Sequence, residues 1–134
     1  LIPVLSAEEN IEYIMLLQGV AAAERRRRVA EMLKLVELEG LGHRRPPELS
    51  GGQQQRVAVA RAMASHPDII LADEPTANLD SHTGIALLEV MRELNREQGM
   101  TFVFSTHDEK IMDRATRLIH MTDGKVDKDE HIAR

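Results

Sequence analysis

Cysteine and tryptophan are absent from this 134-residue chain, and aromatic residues make up only 2% of it. Without cysteine there is no disulfide framework and no thiolate chemistry, which fits a cytosolic setting. With so few aromatics, Leu, Ile, Val, Met and Ala have to fill the core. No apolar run approaches the ~20 residues that a membrane helix needs, and no secretory signal is visible. A net charge of −5 argues against a general nucleic-acid binder. The basic run Arg25–Arg28 is local, and with Glu24 and Glu31 beside it, it reads as a solvated helix face. The apolar (43%) and charged (29%) fractions are those of an ordinary globular protein, and the length allows one domain at most. The first residue is Leu1, not Met, so the sequence is expected to be a piece of something longer.

What is present is strongly patterned. Ser6-Ala7-Glu8-Glu9 is a capping box, predicting a helix with Ile11, Ile14, Met15 and Gln18 on one stripe and Gly19 at its end. Ala21 to Leu38 reads as a second helix, with Val29, Met32, Leu33 and Val36 at helical spacing and Gly40 as its stop. Leu41 to Leu49 contains Pro46-Pro47 and has to be extended or turning. Ser50, with Gln53 three residues on, opens a third helix that stops before Pro67. Asp68 to Ala72 is a short continuous apolar run, read as a parallel strand buried on both faces. A loop from Glu74 to Asp80 leads to a helix over Ser81–Gln98, with Ile85, Leu88, Met91 (or Val90) and Leu94 inward and Gly99 ending it. Thr101–Ser105 reads as a second buried strand. His107-Asp108 opens a short helix to about Ala115, and Arg117–Met121 is a third strand turning at Asp123-Gly124 into Lys125-Val126. The order is helices first, then alternating strand and helix, which predicts an α/β second half with right-handed crossovers.

Two places carry chemistry. At Ser50-Gly51-Gly52-Gln53 a helix begins with unpaired N–H groups and about half a unit of positive charge, a ready anion site. The two glycines remove side chains that would hold an anion away. Taken alone, this is also what an ordinary capped helix start looks like. At Asp73-Glu74 a strand ends in two carboxylates, and the carboxyl ends of parallel strands are where α/β sheets bind ligands. One carboxylate there suits Mg²⁺, and the second can take a proton from water. Asp80 can cap the helix that follows. The six histidines have no metal-ligand spacing.

Leu49-Ser50-Gly51-Gly52-Gln53-Gln54-Gln55-Arg56 resembles the signature motif of ATP-binding-cassette (ABC) ATPases. Ala72-Asp73-Glu74-Pro75-Thr76-Ala77-Asn78-Leu79-Asp80 resembles their acidic strand end and D-loop, and Ser105-Thr106-His107-Asp108 their switch histidine. The resemblance covers roughly Leu1 to Val126. It points to a bacterial subgroup that serves lipoprotein release, macrolide or peptide export and cell-division transporters. It implies a partial P-loop NTPase fold, with a helical signature subdomain over 1–65 followed by the C-terminal half of a parallel-sheet core over 66–134. It further implies ATP and Mg²⁺ as ligands. Asp73 holds the metal through water, Glu74 is the general base and His107 meets the γ-phosphate. Ser50, Gly51, Gly52, Gln53 and Asp80 lie against nucleotide across a homodimer. The implied partners are a second ATP-binding subunit and transmembrane permease subunits, with no nucleic acid, at the cytoplasmic face of the membrane.

The family's phosphate loop, G-x-x-x-x-G-K-[ST], is missing from these 134 residues. The one Gly-Lys pair, Gly124-Lys125, is followed by Val126, and Ile119 stands where the first glycine belongs. The aromatic residue that stacks on adenine in the family is missing as well. Three expectations follow: the chain by itself neither binds ATP tightly nor hydrolyses it, Thr101–Ser105 offers an unpaired strand edge, and that edge drives self-association. Two other readings compete with a transporter subunit. One is a DNA-associated ABC-type ATPase, disfavoured by the acidic charge and by an Ala21–Leu38 helix too short for sustained heptads. The other is a non-enzymatic regulatory or dimerisation module that keeps the signature turn.

Overall fold

A computed structural model describes residues 1–132. Three helices, α1 (Ala7–Leu17), α2 (Ala22–Leu35) and α3 (Gly51–Ala64), pack on one another. Both capping boxes form: the Ser6 hydroxyl accepts from the Glu9 amide at 3.2 Å, and the Ser50 hydroxyl from the Gln53 amide at 3.1 Å. The predicted α2 stripe of Val29, Met32, Leu33 and Val36 is buried throughout. The α3 face that meets it is built from Val57, Ala60, Met63 and Ala64, whose small members allow close approach. Two arginines then bind the pair at its ends. Arg28 donates to the Ala64 carbonyl at 3.2 Å and Arg56 to the Val36 carbonyl at 3.1 Å. Each places a cation on the terminal carbonyls of the other helix, where the helix dipole favours it. Pro46–Glu48, expected to turn, forms a short 3-10 turn leading into α3.

The α1 stripe differs from expectation at two positions. Ile14 and Gln18 are exposed, and the inward residues are Ala7, Asn10, Ile11 and Met15. Asn10 is fully buried and fully used: it accepts from the Ile2 amide and donates to the Ile2, Leu5 and Ser6 carbonyls. A polar residue on this face ties down the N-terminal segment, a role that hydrophobic periodicity does not register.

Strands β1 (Ile69–Asp73) and β2 (Thr101–Ser105) pair in parallel with Ile69 opposite Thr101. Helix α4 (Ser81–Gln98) connects them, capped by Asp80 and ended by Gly99 at φ +71°. In α4, Leu88, Met91 and Leu94 point inward as predicted, but Leu87 takes the place assigned to Ile85, which is exposed. The strands are not buried on both faces. Ile70 joins the main core and Phe102 and Phe104 pack against α4, whereas Ile69, Leu71 and Val103 are more than half exposed on the opposite face. Alternate residues of a strand face opposite ways, and among the described residues helices cover one side. Nor does the third strand join this sheet. After a short helix α5 (Glu109–Met112), β3 (Arg117–Thr122) pairs antiparallel with β4 (Lys125–His131) as a separate hairpin. Asp123 and Gly124 both have positive φ, +49° and +76°, the geometry that favours a two-residue hairpin turn. The nearest backbone partner of β3 is therefore its own continuation.

Candidate active site

The parallel pairing brings the ends of β1 and β2 together, and with them two stretches 33 residues apart in sequence. Asp73 is the last residue of β1 and is exposed. Glu74 follows in the left-handed region at φ +45°, unfavourable for a residue with a Cβ. Its amide donates to the Ser105 carbonyl at 2.8 Å, which turns the chain across the sheet end. The Glu74 carboxylate then accepts three hydrogen bonds from the segment after β2. Oε1 lies 2.7 Å from His107 Nδ1 and takes the His107 amide at 3.0 Å, and Oε2 takes the Thr106 hydroxyl at 3.1 Å. The His107 ring hydrogen bond, helped by the Thr106 hydroxyl and the His107 amide, holds the Glu74 carboxyl below the usual glutamate range. The ring of His107 is otherwise open to solvent.

Behind this pair lies a second link that sequence reasoning missed. The buried Thr76 donates its hydroxyl to Asp108 Oδ2 at 2.8 Å, and Asp108 caps α5 through the Lys110 amide at 2.9 Å. Both bonds hold the Asp108 carboxyl below its ordinary range, that from Thr76 the more strongly. They join the loop after β1 to the loop after β2, 32 residues apart.

The Ser50–Gly52 turn is brought to a different neighbour. Together with Asn78, Leu79 and Asp80 it lines an open groove of about 330 Å³. Gln53 closes the capping box, its side-chain oxygen accepting from the Ser50 amide at 2.9 Å. Asp80 accepts from the Thr83 amide at 2.8 Å, which holds its carboxyl low. The eight predicted residues thus fall into two groups within this chain: Asp73, Glu74 and His107 at the sheet end, and Ser50, Gly51, Gly52 and Gln53 with Asp80 at the groove.

The two glycines do different jobs. A Cβ at Gly52 would stand 3.0 Å from Leu79 Cδ2, whereas one at Gly51 meets nothing within 4 Å and would project into open space. Gly52 is thus crowded by the Leu79 side chain, whereas Gly51 borders open space. Gly52→Ala is expected to be about 1 kcal/mol less stable than Gly51→Ala, the lower end of overpacking effects. Both gain the same helix propensity, so comparing the two by urea unfolding cancels that term. Equal midpoints would show that Leu79 yields freely.

The sequence profile described as ABC transporter matches residues 1–77. The chain belongs to the ABC transporter family. An uncharacterized ABC transporter ATP-binding protein of Thermotoga maritima is 50% identical over 127 residues, 95% of this chain and 54% of that protein. The lipoprotein-releasing system ATP-binding protein LolD of Anaeromyxobacter dehalogenans is 43% identical over 94% of this chain and 53% of its own length. Among solved structures, the ATP-binding cassette MJ0796 of Methanocaldococcus jannaschii, a dimer in a post-hydrolysis state bound to ADP and Pi, superimposes with a TM-score of 0.91. That match is 44% identical and covers all of this chain and 60% of MJ0796. The fold is therefore that of an ABC ATPase cassette, and the chain spans about half the length of the curated relatives it matches.

The residues present fit the family's ligand. Among the described residues no cluster of three or more His, Asp or Glu could hold a metal ion. Asp73 can supply one oxygen to Mg²⁺, which ordinarily keeps several waters and takes its other ligands from substrate phosphates. The open space at Gly51, facing the first amides of α3, suits a phosphate. No helix among the described residues is long and apolar enough to cross a membrane.

Proposed function

We propose that this chain is the signature-bearing part of an ATP-hydrolysing subunit of an ABC transporter, with residues 1–65 as its helical subdomain and 66–134 as the C-terminal half of its catalytic core. The observation that carries this is Glu74, a carboxylate at a parallel strand end, kept ionised by His107 and Thr106. Mg²⁺-ATP, when bound, supplies the phosphoryl group and neutralises its charge. Asp73 would hold the ion, Glu74 would take the proton of the attacking water, and His107, whose ring is open to solvent, would meet the γ-phosphate. Ser50, Gly51, Gly52, Gln53 and Asp80 face the nucleotide of a second copy, so a homodimer completes each site. Permease subunits engage the helical subdomain at the cytoplasmic face of the membrane. The similarity to LolD favours the lipoprotein-release and macrolide-export subgroup.

The test is a cassette completed with the portion of MJ0796 that the match leaves uncovered, to which the family resemblance assigns the phosphate loop. It is expected to hydrolyse MgATP in a phosphate-release assay. No turnover from a folded, nucleotide-binding chimera would sink the assignment of residues 66–134 as a catalytic half.

The 134-residue chain alone is expected to self-associate. Among the described residues strand β2 pairs with β1 on one edge and with no strand on the other, and Val103 is half exposed. An unpaired strand edge flanked by apolar side chains recruits another. Light scattering is expected to give a mass above the 15.1 kDa of one chain; a monodisperse monomer at all concentrations would contradict this.

A further inference from the structure

Helix α3 reaches the acidic loop through one side chain. Gln55 lies half-buried in the second turn after Ser50, and its Nε2 donates to the Pro75 carbonyl at 2.7 Å, across 20 residues of sequence. Pro75 directly follows Glu74, whose left-handed backbone is unfavourable for any residue bearing a Cβ. Such conformations persist only where surrounding contacts over-determine them. Four hydrogen bonds do so here. The Glu74 amide donates to Ser105, the Ala77 amide closes the loop on the Glu74 carbonyl at 3.2 Å, Thr76 is held by Asp108, and Gln55 holds Pro75. The first three come from the loop itself and from the end of β2. Among the described residues the fourth alone comes from α3, the helix whose first turn is Ser50–Gly52.

We propose that Gln55 is a positioning residue for the Glu74 carboxylate, tying the geometry of the Glu74–Pro75 peptide to the placement of α3 and its N-terminal turn. Movement of that turn is then felt at Glu74 of the same chain, not only across the groove. The catalytic consequence rests on Glu74 being the general base; the positioning itself does not.

The test uses the 134-residue chain and needs no nucleotide. Gln55→Met keeps the length and removes the donor; Gln55→Lys restores a donor on a long stem. Two NMR readouts are taken, hydrogen exchange of the Glu74 amide and of the His107 amide, which donates to the Glu74 carboxylate. In Gln55→Met both should exchange about tenfold faster, the effect of losing one hydrogen bond, while the amides at Ile11 and Val57 are unchanged. Gln55→Lys is expected to return both readouts to those of the parent. If Gln55→Met does not fold, Gln55→Glu, which stays polar but has no N–H, must give the same acceleration. Unchanged exchange at Glu74 and His107 overturns the proposal, and so does faster exchange that is uniform across the chain. Neither outcome touches the base assignment, which the turnover of a Glu74 variant decides separately.

Discussion

Replacing Glu74 with glutamine in the completed cassette is expected to lower ATP turnover by about 10²–10⁴-fold, the usual contribution of a general base, with nucleotide affinity little changed. Glutamine is nearly isosteric and its one oxygen can still accept from the His107 amide, while its NH2 takes the place of the oxygen that accepts from the Thr106 hydroxyl; the other ties on the loop stay in place. What is lost is the ability to take a proton from water. Phosphate release measures the first quantity and equilibrium binding of a fluorescent nucleotide the second. Turnover within a few-fold of the parent would remove Glu74 from the chemistry. The pH profile carries the same argument further. A base works only when unprotonated, and hydrogen bonding by His107 depresses the folded-state pKa of Glu74. A depressed pKa keeps the carboxylate ionised as pH falls through the ordinary glutamate range, so turnover is lost only below it. His107→Ala removes the largest cause of that depression, and in whatever turnover remains the acid limb is expected to move to higher pH.

The legibility of this molecule in its sequence divides by range. The caps at Ser6, Ser50 and Asp80 were readable because each is a bond between residues three apart. The α2 stripe was readable because helical periodicity and burial agree there. Ile14 and Ile85 failed for a shared reason: a 3.6-residue period finds a stripe but does not fix its edges, and neighbouring packing gave those edges to Asn10 and Leu87. The strands were found, but their two-sided burial was inferred from composition, which cannot say what covers each face. At the site, resemblance supplied Asp73, Glu74 and His107 as names. The ties that give them geometry, from Gln55 to Pro75 and from Thr76 to Asp108, exist only because β2 lies in register beside β1 and α3 crosses behind. No local spacing encodes those.

For the 134-residue chain alone, isothermal titration with MgATP is expected to show no binding in the micromolar range and no detectable hydrolysis. Micromolar affinity needs about 8 kcal/mol at a 1 M standard state. The signature groove offers an exposed helix N-terminus, which contributes roughly 0.3–1 kcal/mol toward an anion. The nearby Arg56 spends Nη1 on the Val36 carbonyl, and its Nε is buried. Asp73 adds an exposed carboxylate that repels phosphate unless Mg²⁺ stands between them. None of these approaches the combined grip of loop amides, lysine and metal on which phosphate sites of this class depend. The completed cassette supplies that grip, and its affinity is expected to exceed that of the chain alone by at least about 10³-fold, or about 4 kcal/mol. A micromolar dissociation constant for the 134-residue chain would mean that the Ser50–Asp80 groove holds nucleotide by itself. A division of labour in which Glu74 and His107 supply the chemistry and the phosphate loop supplies the affinity would then be wrong.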